Sequence, residues 1–273
     1  MRGWISLIAV LGVVQVPQPQ TPQSANSTFE VAAIKVNKSG ERAGSMRFLP
    51  SGQVTVTNMT LGALIRLVYQ VEPFQLSGGP GWLDSEHYDI LAKAEANTAP
   101  PQIMGLMRSL LAERFKLMAH TETRELPVYD LVVAKAGQLG SQLRKAAIET
   151  CPPRPVGSLA GTLPDPKNPP CGVLMFGLGK VTGRTVPVAQ LASRLTPAAG
   201  RKVINRTELN GQFDVDLEFA PDQPTASPNN DQSANPGVSI FTALQEQLGL
   251  KLESTRGPVE VLVIDSVQRP TPD

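Results

Sequence analysis

Of the side chains that most often carry nucleophilic, acid–base or metal chemistry, the sequence holds two histidines and two cysteines among 273 residues. One histidine, His87, lies in the stretch SGGPGWLDSEHYDI (77–90), beside Trp82, Asp84, Ser85 and Glu86. Asp84, Ser85 and His87 are the residue types of a hydrolytic triad. A triad is a geometry, however, and side chains this close in sequence point in different directions. No G-x-S-x-G elbow accompanies them. A phosphate cradle would set its glycines directly before a helix N-terminus. Here Gly78, Gly79 and Gly81 precede the strand-like run HYDILAKA, and no G-x-x-x-x-G-K-[ST] occurs. Two readings of the stretch remain: a structural turn with Trp82 packed as a plug, or a ligand or partner patch built on Trp82, Asp84, Glu86 and His87. The second histidine, His120, alternates with Met118 and Glu122, which predicts a surface or cross-strand role. No catalytic constellation emerges, so the expectation is a protein that is not an enzyme and needs no cofactor or metal.

Cys151 and Cys171 frame the proline-rich segment CPPRPVGSLAGTLPDPKNPPC. An even pair closing a loop in an exported chain reads as a disulfide, worth about 3 kcal/mol in the chain-entropy model. A metal site would need further cysteines or histidines nearby. Export is read from the N-terminus, where MRGWISLIAVLGVVQVPQPQTPQ places Arg2 ahead of an uncharged run from Trp4 to Val16. That length suits a signal h-region and falls short of the roughly 20 residues that span a bilayer. No A-x-A marks a cleavage point, so residues 1–25 are expected to be a signal peptide or a short retained anchor, with a Pro/Gln tether. The expected location is periplasmic or secreted. A net charge of +1 excludes an electrostatic footprint for nucleic acid. The 25 prolines gather at 17–22, 152–170 and 221–236, segments that read as tether and loops.

The elements that must position these residues are written twice along the chain. MRFLPSGQVTVTNMTLGALIRLVYQV (46–71) and LMFGLGKVTGRTVPVAQLASRL (174–195) each read as strand, glycine turn at Gly52 or Gly179, strand and amphipathic helix. Thr60 and Thr185 are the expected N-caps, with Pro187 in the first helical turn. Leu61, Leu64, Ile65 and Val68 form one apolar face; Val188, Leu191, Ala192 and Leu195 form the other. HYDILAKAE (87–95) matches QFDVDLEFA (212–220), and Asp89 and Asp214 hold equivalent places, which predicts a structural role such as capping or turn pairing. A second helix then carries Ile103, Leu106, Met107, Leu110 and Leu111 in one copy and Ile240, Phe241, Leu244 and Leu248 in the other, with Gly249 at a C-cap. Each is expected to run into a hairpin that turns just before Pro127 or Pro258.

The predicted class is therefore α+β, a tandem duplication of a β-β-α-β-β-α-β-β unit with helices packed on mainly antiparallel sheets. FEVAAIKV adds an N-terminal strand. Copy 1 spans 29–145, a proline-rich disulfide loop spans 146–172, and copy 2 spans 173–268 with a disordered insert at 221–237.

FEVAAIK, GGPGWLDSEHYDILAKA, LMRSLLAERFKLMAHTETRELPVYDLVVAK, GQFDVDLEF and SIFTALQEQLGLKLESTRGPVEVLVIDSV together resemble a family of exported, soil-associated bacterial proteins named by a domain of unknown function. The resemblance covers Phe29 to Val267 and implies no reaction. Some members of that family carry this region behind a membrane metallopeptidase of the antirepressor-sensor type, which implies a sensing role; this sequence has no H-E-x-x-H. Copy 2 also resembles the short N-terminal domain of secretins and TonB-dependent receptors, a small interaction module. The expected function is a non-catalytic extracytoplasmic binding module of the bacterial envelope. Its partner would be an envelope protein, a cell-wall element or a small ligand, with membrane contact only through a retained N-terminal segment. A sensor domain of a metallopeptidase signalling system and a secreted hydrolase are the alternatives.

Overall fold

The computed structural model describes residues 28–41, 43–153, 165, 169–177, 179–220 and 238–270. The expected signal segment, most of the proline-rich loop and the insert at 221–237 lie outside the described residues. The chain runs β1 (Val31–Asn37), β2 (Ser45–Phe48), β3 (Gln53–Thr60), α1 (Leu61–Tyr69), β4 (Leu76–Gly78), β5 (His87–Lys93), α2 (Pro100–Arg114) and β6 (Met118–Val133). It continues as β7 (Leu143–Lys145), β8 (Val173–Gly177), β9 (Lys180–Val186), α3 (Val188–Ala199), β10 (Val203–Asn205), β11 (Phe213–Glu218), α4 (Ile240–Ala243) and β12 (Leu250–Ser266). A π-helical turn, Leu244–Leu248, carries α4 on to the left-handed Gly249. The described residues thus form a mixed α+β fold with helices on mostly antiparallel sheets.

The first sheet has the order β1-β5-β3-β2 and the second β7-β11-β9-β8; both are antiparallel throughout. In each, one centre strand carries a bulge where the backbone turns left-handed, at Asn58 (φ 50°) and at Thr185 (φ 54°). A carboxylate holds each bulge: the Asn58 N–H donates to Asp89 and the Thr185 N–H to Asp214, both at 2.9 Å. The structural role expected of these two aspartates is this one. Thr60 caps α1, its hydroxyl accepting from Ala63 N–H at 3.2 Å. The same role fails for Thr185, because the N-cap of α3 is Pro187, whose ring has no hydrogen-bonding group to offer. Thr185 lies in the bulge ahead of it, where its backbone donor is already taken by Asp214.

A third sheet, ordered β10-β6-β12-β4, joins the other two. Here the expected hairpins are corrected. β6 and β12 do not turn at Pro127 and Pro258; each runs straight through, and the two pair with one another from Ala119↔Ile264 to Val133↔Leu250. Tyr129 N–H donates to Lys202, on the side of β6 away from β12. Donors alternate along a strand, so the absent donor of Pro127 faces that same side, beyond the end of β10. Pro258, opposite Glu125, is placed likewise beyond β4. A proline whose nitrogen faces no partner strand leaves the ladder intact. β4 pairs in parallel with β12 through Leu76↔Leu262 and Gly78↔Ile264, and β10 in parallel with β6 through Val203↔Tyr129 and Asn205↔Leu131.

Two large cores lie on one face of this long pair. The first gathers Ile34, Val54, Val56, Ile90, Leu64, Ile65, Met107 and Leu111 with Leu262 and Ile264 of β12. The second gathers Val181, Val186, Leu191, Leu195, Val215, Leu217 and Leu244 with Leu131 of β6 and Leu143 of β7. The apolar helix faces predicted from spacing are buried, except that Phe241 is turned outward and meets the Tyr129 ring edge-on at 5.5 Å. Val128, Val259 and Val261 form a small cluster on the opposite face of the pair. Cys151 and Cys171 are joined as a disulfide, which points to an oxidising, non-cytoplasmic location. Among the described residues, no helix is long and apolar enough to cross a membrane.

Candidate functional site

The stretch from Ser77 to Ile90 links β4 to β5 by way of a short 3₁₀ turn, Gly81–Asp84. Gly78 and Gly79 both adopt left-handed φ, 82° and 83°, and both are pressed against β12. A Cβ on Gly78 would stand 2.9 Å from the Ile264 carbonyl oxygen, and one on Gly79 would stand 2.3 Å from Leu83 Cδ1. The glycines therefore serve a tight turn onto the central sheet. Leu83 is driven into the first core, and Trp82 packs half-buried against it. Backbone donors of Ser85 and Glu86 close the turn on the Trp82 carbonyl at 3.2 and 3.0 Å.

From this turn the four singled-out residues diverge. Trp82 and Glu86 meet around a residue that lay beyond the expected copies, Arg269. Its guanidinium donates to both Glu86 oxygens, Nε at 2.9 and 3.0 Å and Nη2 at 2.6 Å. It also stands 5.0 Å from the centre of the Trp82 ring. The Tyr88 hydroxyl donates to the other side of the Glu86 carboxylate at 2.9 Å. Asp84 turns instead to α1, where it accepts from Arg66 at 3.2 Å. His87 is adjacent to Tyr88 in β5, so it faces the other side of the first sheet, with Asp89 and Asn37. The four do not share one site.

The electrostatics follow from these contacts. Arg269 holds the Glu86 carboxyl below the usual carboxylate range, against a smaller opposing effect of burial. Burial first, and then the bond to Glu86, pushes the Tyr88 hydroxyl up to about 12. Tyr88 itself is fixed by the Phe115 ring, edge-on at 5.2 Å. The site holds the planar guanidinium of Arg269 between a carboxylate and an indole. The run HYDILAKA marks Tyr88 only as part of a strand, and Arg269 carries no local signal, since it lies 183 residues from its carboxylate partner.

His120 sits where the alternation placed it, on the exposed side of β6. Its Nδ1 lies 2.9 Å from Asp265 across the ladder, and its Nε2 lies 3.7 Å from Glu122. Asp265 and, more weakly, Glu122 raise its pKa. Arg124 bonds Glu122 and reaches the Ser77 hydroxyl at 3.0 Å. Ser77, Val263 and His120 occupy three successive strands, so a whole strand separates that hydroxyl from the imidazole. Among the described residues, no cluster of three or more His, Cys, Asp or Glu could hold a metal ion.

No curated protein and no solved structure matches the chain. A family model described as "Protein of unknown function (DUF3738)" matches residues 62–267. The match runs from α1 through β12, takes in the Trp82 turn, both large cores and the long strand pair, and covers well over half of the sequence. The chain therefore belongs to the DUF3738 family.

Proposed function

We propose that the protein is an exported, non-catalytic binding module of the bacterial envelope, built by doubling one α+β unit, and that it takes its partner on the outer face of the first sheet. Three matching features support the doubling: the two sheet orders, the two aspartate-held bulges, and the parallel seats of β4 on β12 and β10 on β6. The disulfide and the expected signal segment support export. The likeness of the second half to secretin-type modules fits an interaction role.

One observation carries the binding reading. Leu91 lies on an interior strand of the first sheet, between Ala33 and Thr55, yet it is 51% exposed, and Val31 beside it is 66% exposed. The second sheet treats the same position differently. There Asp216 faces Thr182 and is paired with Arg144 at 3.0 Å and Arg184 at 3.2 Å, while Thr182 is only 2% exposed. The disulfide reaches that sheet through a bridge between Cys171 and Arg184. An apolar position left open where its counterpart is charged and covered marks an interaction surface. The same face also carries a cleft of about 450 Å³ along the edge strand β2, lined by Ser45, Arg47, Leu49, Thr55 and Thr57. An open edge beside such a cleft suits an extended partner segment.

A photo-crosslinking residue placed at position 91, and separately at 216, tests the reading in cells that produce the protein. A discrete adduct from 91 and none from 216 is expected. Equal adducts from both positions, or none from 91, would overturn it. So would turnover of a broad hydrolase panel that His87→Ala abolishes.

A further inference from the structure

The cluster at Trp82 goes beyond the sheet face and stands apart from it, on the opposite side of β5. Its parts are the parts of guanidinium recognition: a carboxylate for bidentate bonds and an indole for the cation's face. Each part is set in place without help from the arginine. Trp82 is held by the first core and by the backbone turn onto its carbonyl. Tyr88 is 1% exposed, locked against Phe115, and presents its hydroxyl to Glu86. That hydroxyl is not required by packing: in the second half the aromatic at the head of the matching strand is Phe213, also buried and without one. The arginine, by contrast, arrives on the segment that follows β12. Among the described residues of that segment, Gln268 donates its N–H to Phe115 at 2.7 Å, and the Arg269 side chain is 59% exposed. A rigid receptor thus faces an accessible guest.

We infer that Trp82, Glu86 and Tyr88 form a guanidinium-binding site, occupied by the chain's own Arg269, from which an arginine side chain on a partner polypeptide displaces it. The cis arginine acts as a competitor that weakens binding until the partner's arginine is abundant or better placed. Lysine is a poor substitute at such a site, because it offers neither the planar face nor the two-pronged donor.

The test uses the full chain carrying Trp4→Phe, so that Trp82 is the sole tryptophan, with and without Arg269→Ala. The probe is N-acetyl-argininamide, followed by Trp82 fluorescence and by its indole N–H resonance. The Arg269→Ala chain is expected to give a saturable change at least about tenfold stronger in affinity than the parent chain. The change should vanish when Glu86→Gln is added, and N-acetyl-lysinamide should not reproduce it. Equal affinity in the two chains, no saturation in the Arg269→Ala chain, or a response indifferent to Glu86→Gln would each overturn the inference. Should Arg269→Ala lower the melting temperature enough to obscure the titration, a parent chain titrated with the same probe at high concentration gives the decision. Displacement must then move the Arg269 Nε–H resonance along with that of Trp82, and failure to move it counts against the site. None of these outcomes depends on the sheet face around Leu91.

Discussion

Gly62, in the first turn of α1, has no room for a methyl group: a Cβ there would lie 2.4 Å from Asp84 Oδ1 and 3.2 Å from the Leu83 carbonyl oxygen. Gly62→Ala is therefore expected to push Asp84 off Arg66 and lift the Trp82 turn from the helix. A loss of about 1–3 kcal/mol in urea unfolding is expected, whereas Gly105→Ala in α2, where a Cβ meets nothing, should be neutral or stabilising. Such close approaches were half-legible. The glycines of the Trp82 stretch announce a turn, but what they press against is Ile264, far along the chain. The histidine pair makes a second residue-scale prediction. Asp265 raises the His120 pKa in the folded state, so the folded protein holds that proton more tightly than the unfolded chain. The stabilisation is complete below the unfolded value of about 6.5 and is lost as pH rises through the higher folded value. His120→Gln should lower the melting temperature at about pH 5.5 and leave it unchanged at about pH 8.5. Asp265→Asn should bring the imidazole titration, read by NMR, back down towards the ordinary value. A deficit that grew with pH would contradict the assignment.

At the scale of elements, local signals served the first sheet and the helices and failed at the long pair. Alternating Val54 and Val56, the apolar spacing of Leu61 to Val68, and the carboxylates at 89 and 214 each act on neighbours within one ladder or one helix. A pattern on the chain can encode them. Pro127 and Pro258 suggest turns because a strand interior rarely accepts proline. What rescues them is the side to which the missing donor points, and that is fixed only once β10 and β4 are known to stop short. The distinction can be measured. Pro127→Thr restores a donor that has no strand to meet and should change stability by no more than roughly 0.5 kcal/mol. Val128→Pro removes a donor facing β12, at the pair Val128↔Thr255, and should cost about 3 kcal/mol or more. Similar losses from both substitutions would mean that the strands do turn at Pro127.

The whole molecule is interleaved in a way that no segment of sequence could declare. Strands from the first half and the second alternate across the central sheet, β10, β6, β12, β4. The first core is completed by Leu262 and Ile264, and the second by Leu131 and Leu143. Runs such as VYDLVVA and VEVLVID identify buried strands, yet a hairpin within each half and a pairing between halves satisfy the same hydrophobic pattern. The choice between them rests on contacts over a hundred residues apart. Its physical consequence is that neither half can bury its own core. Each core side chain left exposed forfeits about 1.5–3 kcal/mol, and every ladder bond between β6 and β12 is lost as well. Against a total stability of roughly 5–15 kcal/mol, a lone half has no margin. Residues 28–153 and 165–270, produced separately, should therefore show no cooperative thermal transition, while mixing them should restore one. The disulfide offers a sharper form of the same experiment. A protease site engineered between Cys151 and Cys171 cuts the backbone while the bond still joins the pieces. Under oxidising conditions the nicked protein should melt in one transition close to that of the intact chain. After reduction its midpoint should fall and become concentration-dependent, because the halves must then find each other. A half that folded alone with a sharp transition of its own would show that the exchanged strands are ornament rather than structure.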